Sequence, residues 1–136
     1  MKRDNDTSYF TFDTTSKYKN QRSADCVVRA ISLAENKSWT EVFDALAEIA
    51  KVQFRMPNEQ AVFTTYLKTL GYTKFKAPRT DGNHRVLAKD FAIESTNQTI
   101  IANVGAHHLS VFINGKIHDI WNCGDRAVGN YWIKNS

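Results

Sequence analysis

Cys26, His108 and Asp119 are the three side-chain types that a nucleophilic site combines. A thiol attacks, an imidazole moves its proton, and a carboxylate holds the imidazole in one tautomer. Spacing ties the last two together. Asn114–Gly115 separates His107-His108-Leu109-Ser110-Val111-Phe112-Ile113 from Lys116-Ile117-His118-Asp119-Ile120-Trp121. Asn-Gly between two apolar-rich runs is a strong hairpin signal, because both turn positions need positive φ. A two-residue turn sets Ile113 opposite Lys116, Phe112 opposite Ile117 and Ser110 opposite Asp119. With period two, His108, Ser110, Phe112, Ile117, Asp119 and Trp121 share one face. His108 and Asp119 then become diagonal neighbours within side-chain reach.

Cys26 falls in the first turn of an expected helix, where backbone N–H groups and the helix dipole favour an anion and lower a thiol pKa. A free cysteine on an apolar helix has a plainer reading, as a small buried hydrophobe. Gln21, five residues earlier, is placed to donate its amide to a developing oxyanion; Asn20 is the weaker candidate for that role. A solvated loop is the alternative for both. His107 points to the opposite face, beside Leu109, Val111, Ile113 and His118. That face is the more aliphatic, as a core side should be, so a one-residue slip would hand the role of base to His107. Two cysteines and four histidines raise the question of zinc, but no CxxC, HxxxH or HExxH spacing occurs. No metal and no cofactor are expected.

The elements that must position these residues read as helices first and strands afterwards, the α+β arrangement. A first helix is expected from Ala24 to Glu35 with Ser23 as N-cap, apolar around most of its circumference and therefore buried. A second opens with the capping box Ser38-Trp39-Thr40-Glu41 and continues to about Ala50. A third spans Glu59 to Leu70, with Asn58 as cap and Gly71 as stop. Val86 to Phe91 reads as a helical turn. Strands are expected at Tyr9–Phe12, as a short edge, and at 72–76. Thr99–Val104, Leu109–Ile113, Lys116–Trp121 and Val128–Ile133 should then follow as an antiparallel sheet. Residues 1–7 read as a flexible polar arm, and 14–22 as a loop.

A chain of 136 residues, 42% apolar and 24% charged, is expected to form one folded domain over residues 1–136. The excess of four basic residues, 18 against 14, is not gathered into a stripe, so nucleic acid is not an expected partner. No apolar stretch follows the polar start, and none approaches membrane-spanning length. The expectation is therefore no secretory signal, no membrane association and a cytoplasmic setting with free thiols.

Gln21 followed by Ala24-Asp25-Cys26-Val27-Val28-Arg29-Ala30 at a helix start resembles the nucleophile segment of papain-like cysteine peptidases. His108-Leu109-Ser110-Val111-Phe112, Asn114-Gly115 and Asp119-Ile120-Trp121 resemble that superfamily's histidine strand and its Asn/Asp strand. The order Cys, His, Asp and the tryptophan two residues beyond the third member match as well. Val27 departs from the pattern, in the place where an aromatic residue usually follows the nucleophile. The short length is similar to compact Josephin-like or bacteriocin-processing-like domains, and to short chains encoded by phages and prophages. The resemblance implies a papain-like fold, with a buried nucleophile helix packed on the C-terminal sheet. It also implies a thiol-dependent hydrolase of a protein or peptide amide bond: a protease, isopeptidase or amidase. Cys26 would attack, His108 would shuttle the proton and Asp119 would orient it. Gln21 and the Cys26 N–H would hold the oxyanion, and Trp121 would shield the His–Asp pair from water. Acyl transfer uses the same parts. The competing readings are a catalytically inactive papain-like binding module, for instance a phage protein engaging a host factor, and a basic nucleic-acid-binding domain.

Overall fold

The structure, a computed structural model, describes residues 4–14 and 25–135. Asn20, Gln21, Ser23, Ala24 and most of the expected 14–22 loop lie outside the described residues.

Four helices and six strands form a mixed α+β arrangement. In chain order they are β1 (Phe10–Phe12), α1 (Cys26–Glu35), α2 (Trp39–Gln53), α3 (Gln60–Thr69), β2 (Tyr72–Phe75) and α4 (Ala88–Glu94). The remaining strands are β3 (Thr99–Val104), β4 (His108–Ile113), β5 (Lys116–Asp119) and β6 (Val128–Lys134). The strands make one sheet in the order β1-β5-β4-β3-β6-β2. Its neighbours pair antiparallel except β1, which runs parallel to β5. The four C-terminal strands pair antiparallel as expected, and the short edge strand β1, for which no direction was expected, joins them in parallel. A strand at the N-terminal end has no hairpin link to β5, so nothing local dictates its direction.

Alternation along the strands splits the core in two. Ile101, Leu109, Val111 and Trp132 face Val27, Ala30, Ile31, Leu46, Val62 and Leu67 from α1, α2 and α3. Ile100, Ala102, Val104, Phe112 and Ile117 face Ala88 and Ala92 of α4 together with Phe10. Both faces are thus covered, and the aliphatic count on the His107 side does not single out one core face.

α1 has six consecutive buried residues, Val27 to Ser32, and ends at Asn36 in the left-handed region with φ 53°. α2 begins as its capping box requires, with Ser38 Oγ accepting the Glu41 N–H at 3.1 Å. At α3 the cap is Glu59 rather than Asn58, and helix begins at Gln60. A tight turn causes the shift: the Glu59 N–H donates to the Met56 carbonyl, and the Glu59 carboxylate accepts the Met56 N–H at 2.6 Å. α4 starts later and runs longer than the expected turn, because Leu87 is held in a β-bridge with Ala127.

The β4–β5 hairpin has the two-residue turn, with Asn114 at φ 49° and Gly115 at φ 86°. Ile113 pairs with Lys116, Phe112 with Ile117 and Val111 with His118. β5 stops at Asp119 instead of reaching Trp121. The Asp119 carboxylate takes the Ile120 N–H at 2.7 Å, and its carbonyl accepts from Asp13. The strand therefore ends on its own carboxylate. Within the expected flexible arm, residues 4–7 are tied to the fold: Asp4 accepts the Asn122 N–H at 2.6 Å and Asp6 accepts the Phe12 N–H at 2.9 Å. Among the described residues no helix is long and apolar enough to cross a membrane.

Candidate active site

The ends of three elements converge at one end of the sheet. Cys26 is the first residue of α1, His108 the first of β4 and Asp119 the last of β5. Antiparallel pairing of β4 and β5 brings the latter two together, and α1 packs its first turn against them.

Asp119 is 1% exposed, and its carboxylate is fully engaged. Oδ2 accepts from His108 Nε2 and from Ser110 Oγ, both at 2.6 Å. Oδ1 accepts from the Ile120 N–H at 2.7 Å and from Arg29 Nη2 at 3.2 Å. Burial by itself would raise its pKa. The His108 hydrogen bond and charge, the Arg29 charge and the Ser110 hydroxyl outweigh it and hold the carboxyl below its ordinary value. The group is an anion.

His108 gives Nε2 to Asp119, so Nδ1 is the ring nitrogen not engaged by the carboxylate. Burial pulls the imidazole pKa down; hydrogen bonds to Asp119, Cys123 and Cys26 and the Asp119 charge reverse this and raise it well above the ordinary value. The Trp121 ring lies 4.9 Å from the imidazole, centroid to centroid, and tilts 52° across it. Trp121 thus covers His108 from a loop position, not from the strand expected to carry it.

Cys26 is half-buried. Burial raises a thiol pKa, but here the hydrogen bond to His108, the Leu109 backbone N–H, and the charges of His108 and Arg29 pull it below the ordinary value. The start of α1 adds the unpaired N–H groups of a helix N-terminus. Thiol and imidazole are therefore shifted in opposite directions, toward a thiolate beside an imidazolium.

The structure thus brings together Cys26, His108 and Asp119. Gln21 lies outside the described residues. His107 is exposed and precedes β4. Three further members carry no site role in the sequence reading. Ser110 falls opposite Asp119 in the hairpin register, and only the structure shows its hydroxyl on the carboxylate. Cys123, fully buried, sits with its sulfur 4.0 Å from Asp119 Oδ2. Arg29, 3% exposed, pairs with both Asp119 and Asp25. A signal for Arg29 did exist: a cation one turn after Cys26, on a helix apolar around its circumference, has no water to face and needs an anion.

His108, Asp119 and Cys123 offer ligand atoms within 4.8 Å of one another, a spacing that a metal ion can bridge. The donor set fits a hydrogen-bond network better. The Asp119 oxygens already receive four donors, and the Nε2–Oδ2 contact of 2.6 Å leaves no room for an ion between them.

Beside the start of α1 lies a cavity of about 280 Å³, lined by Val27, Val28, Trp39, Phe43 and Met56 among others. Trp39 stacks on Phe43 with ring centroids 5.2 Å apart, and its Nε1–H donates to Asp25 at 3.0 Å. Comparison with protein-family models, with curated proteins and with solved structures returned no match for this chain.

Proposed function

We propose that the protein is a thiol-dependent hydrolase of amide bonds, of papain-like type, in which Cys26, His108 and Asp119 form the catalytic triad. The observation that carries this reading is the position of His108, which meets the Asp119 carboxylate at 2.6 Å through Nε2 and lies close enough to the Cys26 thiol that the two groups shift each other's ionisation in opposite directions.

The chemistry follows from that arrangement. The Cys26 thiolate attacks the substrate carbonyl carbon, forming a C–S bond and placing negative charge on the carbonyl oxygen. N–H groups at the start of α1 stabilise that oxyanion, and Gln21 is assigned the second donor by its place in the sequence. Imidazolium His108 gives its proton to the leaving nitrogen as the C–N bond breaks, leaving a thioester. A water molecule, deprotonated by His108, then attacks the thioester and releases the acid and the thiolate. Asp119, held by Ser110 and Arg29, fixes the ring through both half-reactions.

The test uses p-nitrophenyl acetate as an activated acyl donor. The thiolate displaces p-nitrophenolate, so the expected result is a burst followed by steady turnover. A transient acetyl adduct on Cys26 should be seen by mass spectrometry, and both signals should be lost in Cys26→Ala. A catalytically inactive binding module gives neither burst nor turnover above the Cys26→Ala protein, and that result overturns the proposal. Comparing Cys26 with Cys123 decides less, because Cys123 is 0% exposed and shielded whatever its ionisation.

A further inference from the structure

Arg29 lies in α1 between residues that pack into the apolar core, and at 3% exposure its guanidinium is cut off from water. A cation so placed is tolerated only when its donors are met by anions. Here the two terminal nitrogens meet two different carboxylates. Nη1 bonds Asp25 Oδ1, and Nη2 bonds Asp119 Oδ1 at 3.2 Å. Asp25 is the residue directly before Cys26, and its second oxygen accepts the Trp39 Nε1–H at 3.0 Å. Asp119 uses its second oxygen on His108. The contacts run Trp39–Asp25–Arg29–Asp119–His108, from the residue before Cys26 to the imidazole.

We propose that Arg29 is a positioning residue: a planar fork that fixes the spacing between the helix end carrying Cys26 and the carboxylate orienting His108. The inference rests on the thiol-hydrolase reading above. Ninety positions separate Arg29 from Asp119 in the chain, and α1 joins the sheet there by side chains. Apolar packing alone lets a helix end slide by a fraction of an ångström, which is enough to spoil a proton transfer. A rigid fork with one carboxylate on each nitrogen sets that distance, and it does so without touching substrate. Arg29 also offsets one of the two buried carboxylate charges beside the thiol.

A lysine cannot do the same work, because a single ammonium on a flexible stem does not span two carboxylates in a fixed plane. Among the described residues the charged groups that act on the Cys26 thiol are His108 of β4 and Arg29 of α1; Asp25, the residue before α1, and Asp119 of β5 are the partners of these two, and Cys123 lies beyond β5 beside Asp119.

The experiment measures the rate of Cys26 alkylation by iodoacetamide against pH. It uses the full chain, the Asp25→Asn/Arg29→Gln double variant, which strands no buried cation, and Arg29→Lys. The unsubstituted protein should show a midpoint below that of an ordinary thiol. The double variant should raise that midpoint by about one pH unit, an approximately tenfold loss of rate on the acid side, and Arg29→Lys should raise it by a smaller amount. If the double variant fails to fold, by thermal unfolding and circular dichroism, Arg29→Lys decides alone. A lowered unfolding temperature with an unmoved midpoint means that Arg29 is structural only and overturns the inference. An ordinary midpoint in the unsubstituted protein overturns instead the hydrolase reading on which it rests.

Discussion

His108 and Asp119 meet at 2.6 Å through Nε2 and Oδ2, joining the first residue of β4 to the last residue of β5. The bond closes the open end of a hairpin whose other end is the Asn114–Gly115 turn. It also decides which imidazole nitrogen stays clear of the carboxylate, so in the proposed mechanism a feature of strand pairing governs the proton transfer.

Asp119→Asn keeps the shape of that contact and removes its charge. The His108 imidazolium loses its main electrostatic partner, and the Cys26 thiol, which depends on His108, moves back toward its ordinary pKa. Alkylation of Cys26 by iodoacetamide at about pH 6 is expected to fall by about tenfold or more, because the thiolate fraction drops by a decade each time the thiol pKa climbs by one. An unchanged rate would show that Asp119 does not govern the thiol.

The same pair makes stability depend on pH with a sign that can be worked out. His108 has a folded pKa above its ordinary value of 6.5. Its contribution is present in full below that value and is lost as pH rises through the folded one. Asp119 has a folded pKa below its ordinary value of 3.8. Its contribution is present above that value and is lost as pH falls through the folded one. The advantage of the unsubstituted protein over His108→Gln in urea unfolding should therefore be largest between the two ordinary values. It should shrink on the alkaline side and again in strong acid. A difference independent of pH would mean that the imidazole is not held as a cation.

Much of this geometry was legible in the sequence, for reasons that also explain the misses. Asn114–Gly115 announced its turn because few residues tolerate positive φ at two successive positions, and period two then carried the register to His108, Ser110 and Asp119. Thr99–Val104 was readable as a strand for the same local reason. The parallel partnership of β1 with β5 was not, because it joins segments about a hundred residues apart with no turn between them. Nor was the end of β5, where Asp119 bends its carboxylate back to the next N–H and releases Trp121 from the strand. Arg29 is the clearest case. Its helical position was legible and its need for an anion could be argued, but that the anions are Asp25 and Asp119 is a fact of packing between α1 and β5.

Gly115→Ala tests the turn at the far end of the hairpin. Gly115 has φ 86°, and an added Cβ would lie 3.3 Å from Thr96 Cγ2, so an alanine is strained by its backbone and crowded by its neighbour. A loss of about 1–2 kcal/mol in unfolding free energy is expected, the usual cost of forcing an L-residue into the left-handed region. The variant should keep the Cys26 alkylation midpoint while it remains folded, because the register is held further along by Phe112 against Ile117. A neutral effect on stability would mean that the turn relaxes to another type.

The adjacent histidines separate register from composition. His107 is exposed and precedes β4, whereas His108 is enclosed by Asp119, Cys26 and the Trp121 ring. His107→Ala is expected to leave both the rate and the pH midpoint of Cys26 alkylation unchanged. His108→Ala should return the thiol toward its ordinary pKa and abolish the acetyl-enzyme burst. A protein in which His107→Ala carried the loss instead would have its hairpin paired one residue out of step in solution. Asp119 would then face away from the imidazole that matters, because a single-residue slip sends alternate side chains to opposite faces of the sheet.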